Sequence, residues 1–170
     1  MAIVALALLS AACASAAAPP SPAPSLRGPC PVTLAHQIPP DQVIEFVRGG
    51  VMPPVTFEQV KHDMEERGNW FGSDGLWISL PYDGVVTWGS PTFASKFWAY
   101  ALVPGHASAV ARRLEGKTPP GFEASFSGSA GDAGPGFMAS GYLFPTNGCW
   151  EATWRVGESS LTFVVDVRRT

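Results

Sequence analysis

The C-terminal part of the chain alternates regularly between apolar and polar side chains. In CWEATWRV (149–156) every second side chain from Trp150 onwards is apolar, and LTFVVDV (161–167) repeats the pattern from Leu161 after a GESS turn. Because successive side chains of a strand point to opposite faces, this pattern predicts an antiparallel hairpin with one buried and one solvent-facing side. The fold must therefore contain an antiparallel β-sheet.

Shorter segments of the same kind precede the hairpin. SAVARRL (108–114) fits a strand or a short helix equally well. Seventeen prolines, eighteen glycines, six tryptophans and ten phenylalanines are typical of many turns that join short aromatic strands. The chain is therefore predicted to be mostly β, an immunoglobulin-like antiparallel β-sandwich with one short N-terminal helix. The other predicted strands are residues 76–80, 85–88, 96–102, 121–128 and 140–144.

The predicted helix lies near residues 56–67. Thr56 and Gln59 match a capping box, and Gly68 follows as a terminator. Before it, VIEFV (43–47) stands among prolines and predicts one or two helical turns.

The N-terminus predicts export. Residues 2–12 form an uncharged apolar run that is too short to span a bilayer but suits a secretory signal. LSAAC (9–13) resembles a bacterial lipobox, which would place a lipid on Cys13. The alternative is ordinary cleavage near Ala14 or Ala16.

Composition divides the chain into three parts. Residues 1–13 are the signal and lipobox, and residues 14–29 are a tether of proline, alanine and serine. Such a tether favours extended polyproline II, at about 3.1 Å per residue. Residues 30–170 are the folded domain.

The number and positions of the cysteines support this division of the chain into anchor, tether and domain. Cys13 belongs to the anchor, which leaves Cys30 and Cys149 as a pair. An oxidising compartment would join them in a disulfide, and the alternative is two buried free thiols. The net charge of −3 and the pI near 5.5 provide no basic surface for nucleic acid, so that class of partner is not expected.

Three stretches resemble a recurrent family of uncharacterised bacterial secreted proteins and lipoproteins. They are WFGSDGLWISLP, ARRLEG with two prolines after it, and FPTNGCWEATWRVGESSLTFVVDV, within residues 68–170. The resemblance implies an exported immunoglobulin-like sandwich with a C-terminal FPTxGCWE hairpin motif, and it implies no reaction or ligand. The helical segment at 56–67 departs from the family pattern, which has a proline-rich loop there.

The sequence contains no recognisable catalytic or metal-binding arrangement. None of His36, His62 and His106 lies in a nucleophile or metal motif, and the motifs G-x-S-x-G, H-E-x-x-H and C-x-x-C are absent. Residues 72–75 are interpreted as a turn, which makes Ser73 and Asp74 turn residues rather than catalytic ones. No catalytic residue, metal or cofactor is therefore predicted.

Tryptophan is the residue type that could serve a ligand. Aromatic faces stack on sugars and are enriched at protein interfaces, so Trp70, Trp88 and Trp98 are the predicted ligand-binding aromatics. The competing interpretation is core packing, which suits the remaining three tryptophans.

The leading hypothesis is a non-enzymatic, exported domain, lipid-anchored at the cell envelope or freely secreted, that binds a protein or glycan of the envelope. It would contact the membrane only through its lipid. The alternatives are an envelope hydrolase with an unrecognised active site and an inhibitory or structural lipoprotein.

Overall fold

A computed structural model describes residues 29–73, 75–88, 95–128 and 135–169. The predicted signal, Cys13 and nearly all of the tether lie outside the described residues, as does Asp74. Within the described part, two helices precede nine strands. The helices are α1 (Asp41–Gly49) and α2 (Phe57–Arg67); the strands are β1 (Trp70–Ser73), β2 (Leu76–Ser79), β3 (Val85–Trp88), β4 (Ser95–Ala101), β5 (Ala107–Arg113), β6 (Glu123–Gly128), β7 (Gly136–Leu143), β8 (Gly148–Val156) and β9 (Ser159–Arg169).

The strands form two packed sheets, so the predicted mostly-β sandwich is confirmed. Sheet A has the order β1-β2-β4-β7-β6, and sheet B has the order β3-β9-β8-β5. One pairing departs from the expected antiparallel arrangement, because β3 runs parallel to β9. Residues 108–114, which fitted strand or helix, contribute to β5.

The β8–β9 hairpin is the centre of the core. Trp150 lies opposite Val165, and Trp154 lies opposite Leu161. Both tryptophans are fully buried. On the outward face, the hydroxyl groups of Thr153 and Thr162 are hydrogen-bonded at 2.9 Å. The period-two pattern therefore predicted the buried face of this hairpin correctly.

Aromatic rings fill the space between the sheets. Three phenylalanine rings surround the ring of Tyr142 in β7. The centroid distances from Tyr142 are 5.4 Å to Phe97, 5.9 Å to Phe163 and 6.4 Å to Phe144. Burial raises the pKa of the Tyr142 phenol well above its ordinary value, because the phenolate would lose its hydration.

The disulfide between Cys30 and Cys149 is present, with 5.4 Å between its Cα atoms. From Cys30 the chain crosses from one sheet to the other. The Thr33 amide donates to the Val164 carbonyl of sheet B, and the Gln37 amide donates to the Trp70 carbonyl of sheet A, at 2.9 and 3.0 Å. The bridge and these hydrogen bonds fix the first described residues to both layers.

The FPTNGCWE stretch forms a structural corner. The Trp150 indole N–H donates to the Thr146 carbonyl at 3.0 Å. Gly148 has φ of +129°, and a Cβ there would lie 2.8 Å from the Arg113 guanidinium. Arg112 in turn pairs with Glu151 at 2.7 Å. Two of the stretches that carry the family resemblance therefore contact each other as neighbouring strands.

Helix α2 is capped as predicted, since Thr56 and Gln59 form both hydrogen bonds of a capping box. Gly68 ends it in an extended conformation, where a Cβ would clash with the Met64 carbonyl. The prediction of a single helix was wrong, because α1 forms a full helix after Pro40. No helix of the described residues has the length and apolarity needed to cross a bilayer.

Strand β1 corrects a further prediction. Residues 72–75 were interpreted as a turn, but Gly72 lies inside β1, opposite Trp77 of β2. A Cβ on Gly72 would lie 2.5 Å from the Trp77 ring. The glycine therefore makes room for a tryptophan on the neighbouring strand.

Candidate functional site

The outer faces of the two sheets differ in chemistry. On sheet B the outward side chains of β8 and its neighbours are mainly polar, as the Arg112–Glu151 ion pair illustrates. On sheet A the outward positions are largely aromatic, because residues that lie opposite each other in antiparallel strands share one face. They are Trp70, Trp77, Trp98, Tyr100 and Phe137. An aromatic outer face on a sandwich needs a cover or a ligand.

The helices cover one part of this face. Val43 and Ile44 of α1 and Val60 and Met64 of α2 are buried with Trp70 in a second apolar cluster. At its margin, Phe46 of α1 stacks on Phe137, with 4.5 Å between ring centroids. Apolar burial, rather than helix propensity, therefore holds the two helices on sheet A.

Trp98 lies where the helical cover ends. Its side chain is 52% exposed, whereas Trp70 is 3% exposed. The edge of Phe137 contacts it at a centroid distance of 6.1 Å, with the rings 82° apart. This contact supports the indole on one side, while half of its surface stays available to solvent.

A cleft of about 360 Å³ opens between the C-terminal end of α2 and sheet A. Its walls combine the two tryptophans with polar groups from α2, the segment that follows it, β2 and β4. Lining it are Val47, Asp63, Met64, Arg67, Gly68, Asn69, Trp70, Ser79, Lys96 and Trp98. An apolar groove of about 320 Å³ shares Val47, Asp63 and Met64 with the cleft and extends it between the helices.

The charges of the cleft come from two elements. On α2, Arg67 and Asp63 are one turn apart, with 3.5 Å between Nε and Oδ1. On β4, Lys96 is exposed, and within the described residues no carboxylate forms an ion pair with it. The lining therefore has two cationic groups against one carboxylate.

The structure brings two of the three predicted aromatics together. Trp70 and Trp98 line the same cleft. Trp88 belongs to β3 of sheet B, and its side chain lies outside what the structure describes. Sequence reasoning missed Lys96 and Arg67. For Lys96 a signal existed, because in the alternating KFWAYAL segment it shares a face with Trp98.

The histidines lie away from the cleft and the groove, since neither lining includes one. His36 meets the edge of Tyr82 at 4.4 Å, and His62 pairs with Glu66 at 3.4 Å on the exposed side of α2. Ser73 is exposed at the end of β1. Among the residues that the structure describes, no three His, Cys, Asp or Glu side chains are grouped to hold a metal ion.

Comparison with protein-family models, with curated proteins and with solved structures finds no match for this chain. The resemblance to secreted proteins and lipoproteins therefore stays a prediction.

Proposed function

We propose that this chain is a non-enzymatic, exported domain of the cell envelope that binds a glycan at the cleft beside Trp98. The observation that carries the proposal is an indole left half exposed at the rim of a polar cleft. Aromatic faces stack on the apolar C–H faces of sugar rings, and such contacts are a common part of sugar recognition. A protein partner would be the competing occupant.

The composition of the cleft favours a sugar. Asn69 and Ser79 provide neutral hydrogen-bonding groups, and Trp98 provides the stacking surface. The volume of about 360 Å³ lies at the lower end of the range for small-molecule sites, about 300–1,000 Å³. One part of a glycan chain fits in such a site while the rest continues into solvent.

A binding role is favoured over hydrolysis by the same residues. Catalysis needs a nucleophile or general base placed beside a reacting group. The carboxylate of the cleft, Asp63, is 66% exposed and lies beside Arg67. The solvated ion pair is not an arrangement that activates a water molecule or a hydroxyl.

Export is supported by the disulfide. Bridges such as Cys30–Cys149 form and persist in oxidising compartments and are rare in reducing ones. We propose in addition that Cys13 is lipidated and that residues 14–29 separate the domain from the membrane. Intact-mass analysis of membrane fractions tests the anchor, and an unlipidated chain that starts after Ala14 or Ala16 contradicts it.

The glycan proposal is tested by titrating the purified domain with soluble envelope polysaccharide fragments, followed by tryptophan fluorescence and calorimetry. We expect saturable binding that Trp98→Ala weakens about tenfold, which corresponds to about 1.4 kcal/mol. Tyr82→Ala is the matched control, because Tyr82 is a 62% exposed aromatic that lines neither the cleft nor the groove. If no polysaccharide of the panel binds, or if the Trp98 variant binds as tightly as the wild type, the proposal is rejected.

A further inference from the structure

We infer that the glycan is acidic, and that Lys96 and Arg67 hold a carboxylate on the sugar that stacks on Trp98. The inference rests on the proposed function and adds the chemical class of its ligand. Both cations line the cleft together with Trp98.

Lys96 is placed to act with Trp98. The two residues are two positions apart on the outward face of β4, so their Cα atoms are about 6.6–6.8 Å apart along the strand. That separation lets one sugar ring lie on the indole while its acid substituent reaches the ammonium group.

The strands around Lys96 provide no neutralising charge. β4 pairs with β2 and β7, whose residues 76–79 and 136–143 contain no Asp or Glu. The residue opposite Lys96 is Gly141, which has no side chain to pair with the ammonium group. On sheet B, by contrast, Arg112 and Arg168 each pair with a carboxylate at 2.7 and 2.6 Å.

Arg67 is the second cation, at the opposite wall. Its pair with Asp63 spans 3.5 Å, and the side chains are 78% and 66% exposed. Exposed pairs of this kind contribute little and are screened by salt. A ligand carboxylate can therefore take over a guanidinium N–H donor, since arginine presents several in a planar fork.

Charge and stacking together favour an acidic sugar over a free anion. The whole chain has a net charge of −3, so nonspecific attraction of anions is weak, and selectivity has to come from the local pair of cations. A free inorganic anion would make no use of the adjacent indole. An acid-bearing sugar uses both groups at once.

Two matched probe pairs test the inference by calorimetry on the disulfide-bonded domain. The first pair is chitohexaose and the hexasaccharide in which N-acetylmuramic acid, with its lactyl carboxylate, alternates with N-acetylglucosamine. The second is oligogalacturonate and its methyl ester. For at least one pair we expect the acidic member to bind at least tenfold more tightly at low salt, with a difference that shrinks as ionic strength rises.

Variants identify the groups responsible. We expect Lys96→Gln to remove most of the preference for the acidic probe, Arg67→Gln to remove a smaller part, and Trp98→Ala to weaken both members of a pair equally. Lys117→Gln is the matched control, because Lys117 is exposed and lines neither cavity. Lys96 is itself exposed, and near-UV circular dichroism verifies the fold of its variant.

The outcomes separate the two proposals. Equal binding of the acidic and neutral members, or an unchanged preference in Lys96→Gln, overturns the acidic ligand and leaves the glycan proposal standing. If none of the four probes binds while an envelope polysaccharide does, only the acidic ligand is overturned; if no envelope polysaccharide binds either, both proposals are overturned.

Discussion

Trp70 and Trp98 line the same cleft, yet replacing Trp70 by alanine is expected to reduce mainly stability, and replacing Trp98 mainly ligand affinity. Trp70 is 3% exposed inside the cluster that holds the helices on sheet A. An aromatic side chain buries about 150–250 Å², which at about 25 cal/mol per Å² is worth about 4–6 kcal/mol. Mutational series place the loss for such a change at about 3–5 kcal/mol. We expect Trp70→Ala to cost about 4 kcal/mol of the free energy of unfolding.

Trp98→Ala removes a side chain that is already 52% exposed and makes a ring contact with Phe137. We expect its loss to cost about 1 kcal/mol, which is a typical value for a point mutation. For a folded unit of roughly 140 residues, the two changes correspond to about 12 °C and 3 °C in Tm. Trp98→Ala is expected to weaken ligand binding about tenfold, whereas Trp70→Phe, which keeps an aromatic ring in the cluster, retains the affinity.

Urea unfolding followed by far-UV circular dichroism measures both changes. If the helices detach in Trp70→Ala, the native state already exposes part of its apolar surface, and the m-value falls together with the midpoint. Equal losses for the two variants, or a larger loss for Trp98→Ala, would refute the division into a packing tryptophan and a ligand-facing one.

Three further predictions concern the scaffold. Replacing Cys30 and Cys149 by alanine opens a loop closed across 119 positions, and we expect a loss of about 4–5 kcal/mol in urea unfolding; a loss below about 1 kcal/mol contradicts this. Gly72→Ala drives a Cβ to 2.5 Å from the Trp77 ring, so we expect a loss of about 1–3 kcal/mol and an altered near-UV spectrum, which an unchanged spectrum would disprove. Because burial raises the pKa of Tyr142, the folded state retains a proton that the unfolded state releases above about pH 10, and stability falls as pH rises past that value. Tyr142→Phe is expected to flatten this slope, and an equal slope in variant and wild type argues against the assignment.

Local sequence signals predicted the elements whose structure depends on local physics. The β8–β9 hairpin follows from strict alternation that leaves one buried face, and α2 follows from the Thr56 capping box. The disulfide followed from cysteine number and compartment. In each case the deciding contact is near in sequence or is chemically unique.

The wrong predictions concern elements that depend on contacts with other elements of the fold. α1 was underestimated because Val43 and Ile44 bury their side chains against Trp70 and α2, partners that periodicity does not identify. The last two residues of β1 were assigned to a turn because Gly72 looks like a turn glycine, whereas in the structure Gly72 accommodates a ring from the next strand. Such cross-element contacts depend on the strand order and are invisible to a local pattern.

The sequence could identify single residues of the cleft but not the cleft itself, because its residues come from separate elements. Trp98 and Lys96 come from the sandwich, whereas Arg67 and Asp63 come from α2, and the assembled strand order brings them to one opening. A variant with a proline-rich loop in place of α2 would keep the aromatic face of sheet A but lose the wall that makes the cleft. If affinity depends on that wall, the helices set which ligand binds, and the sandwich sets only where it stacks.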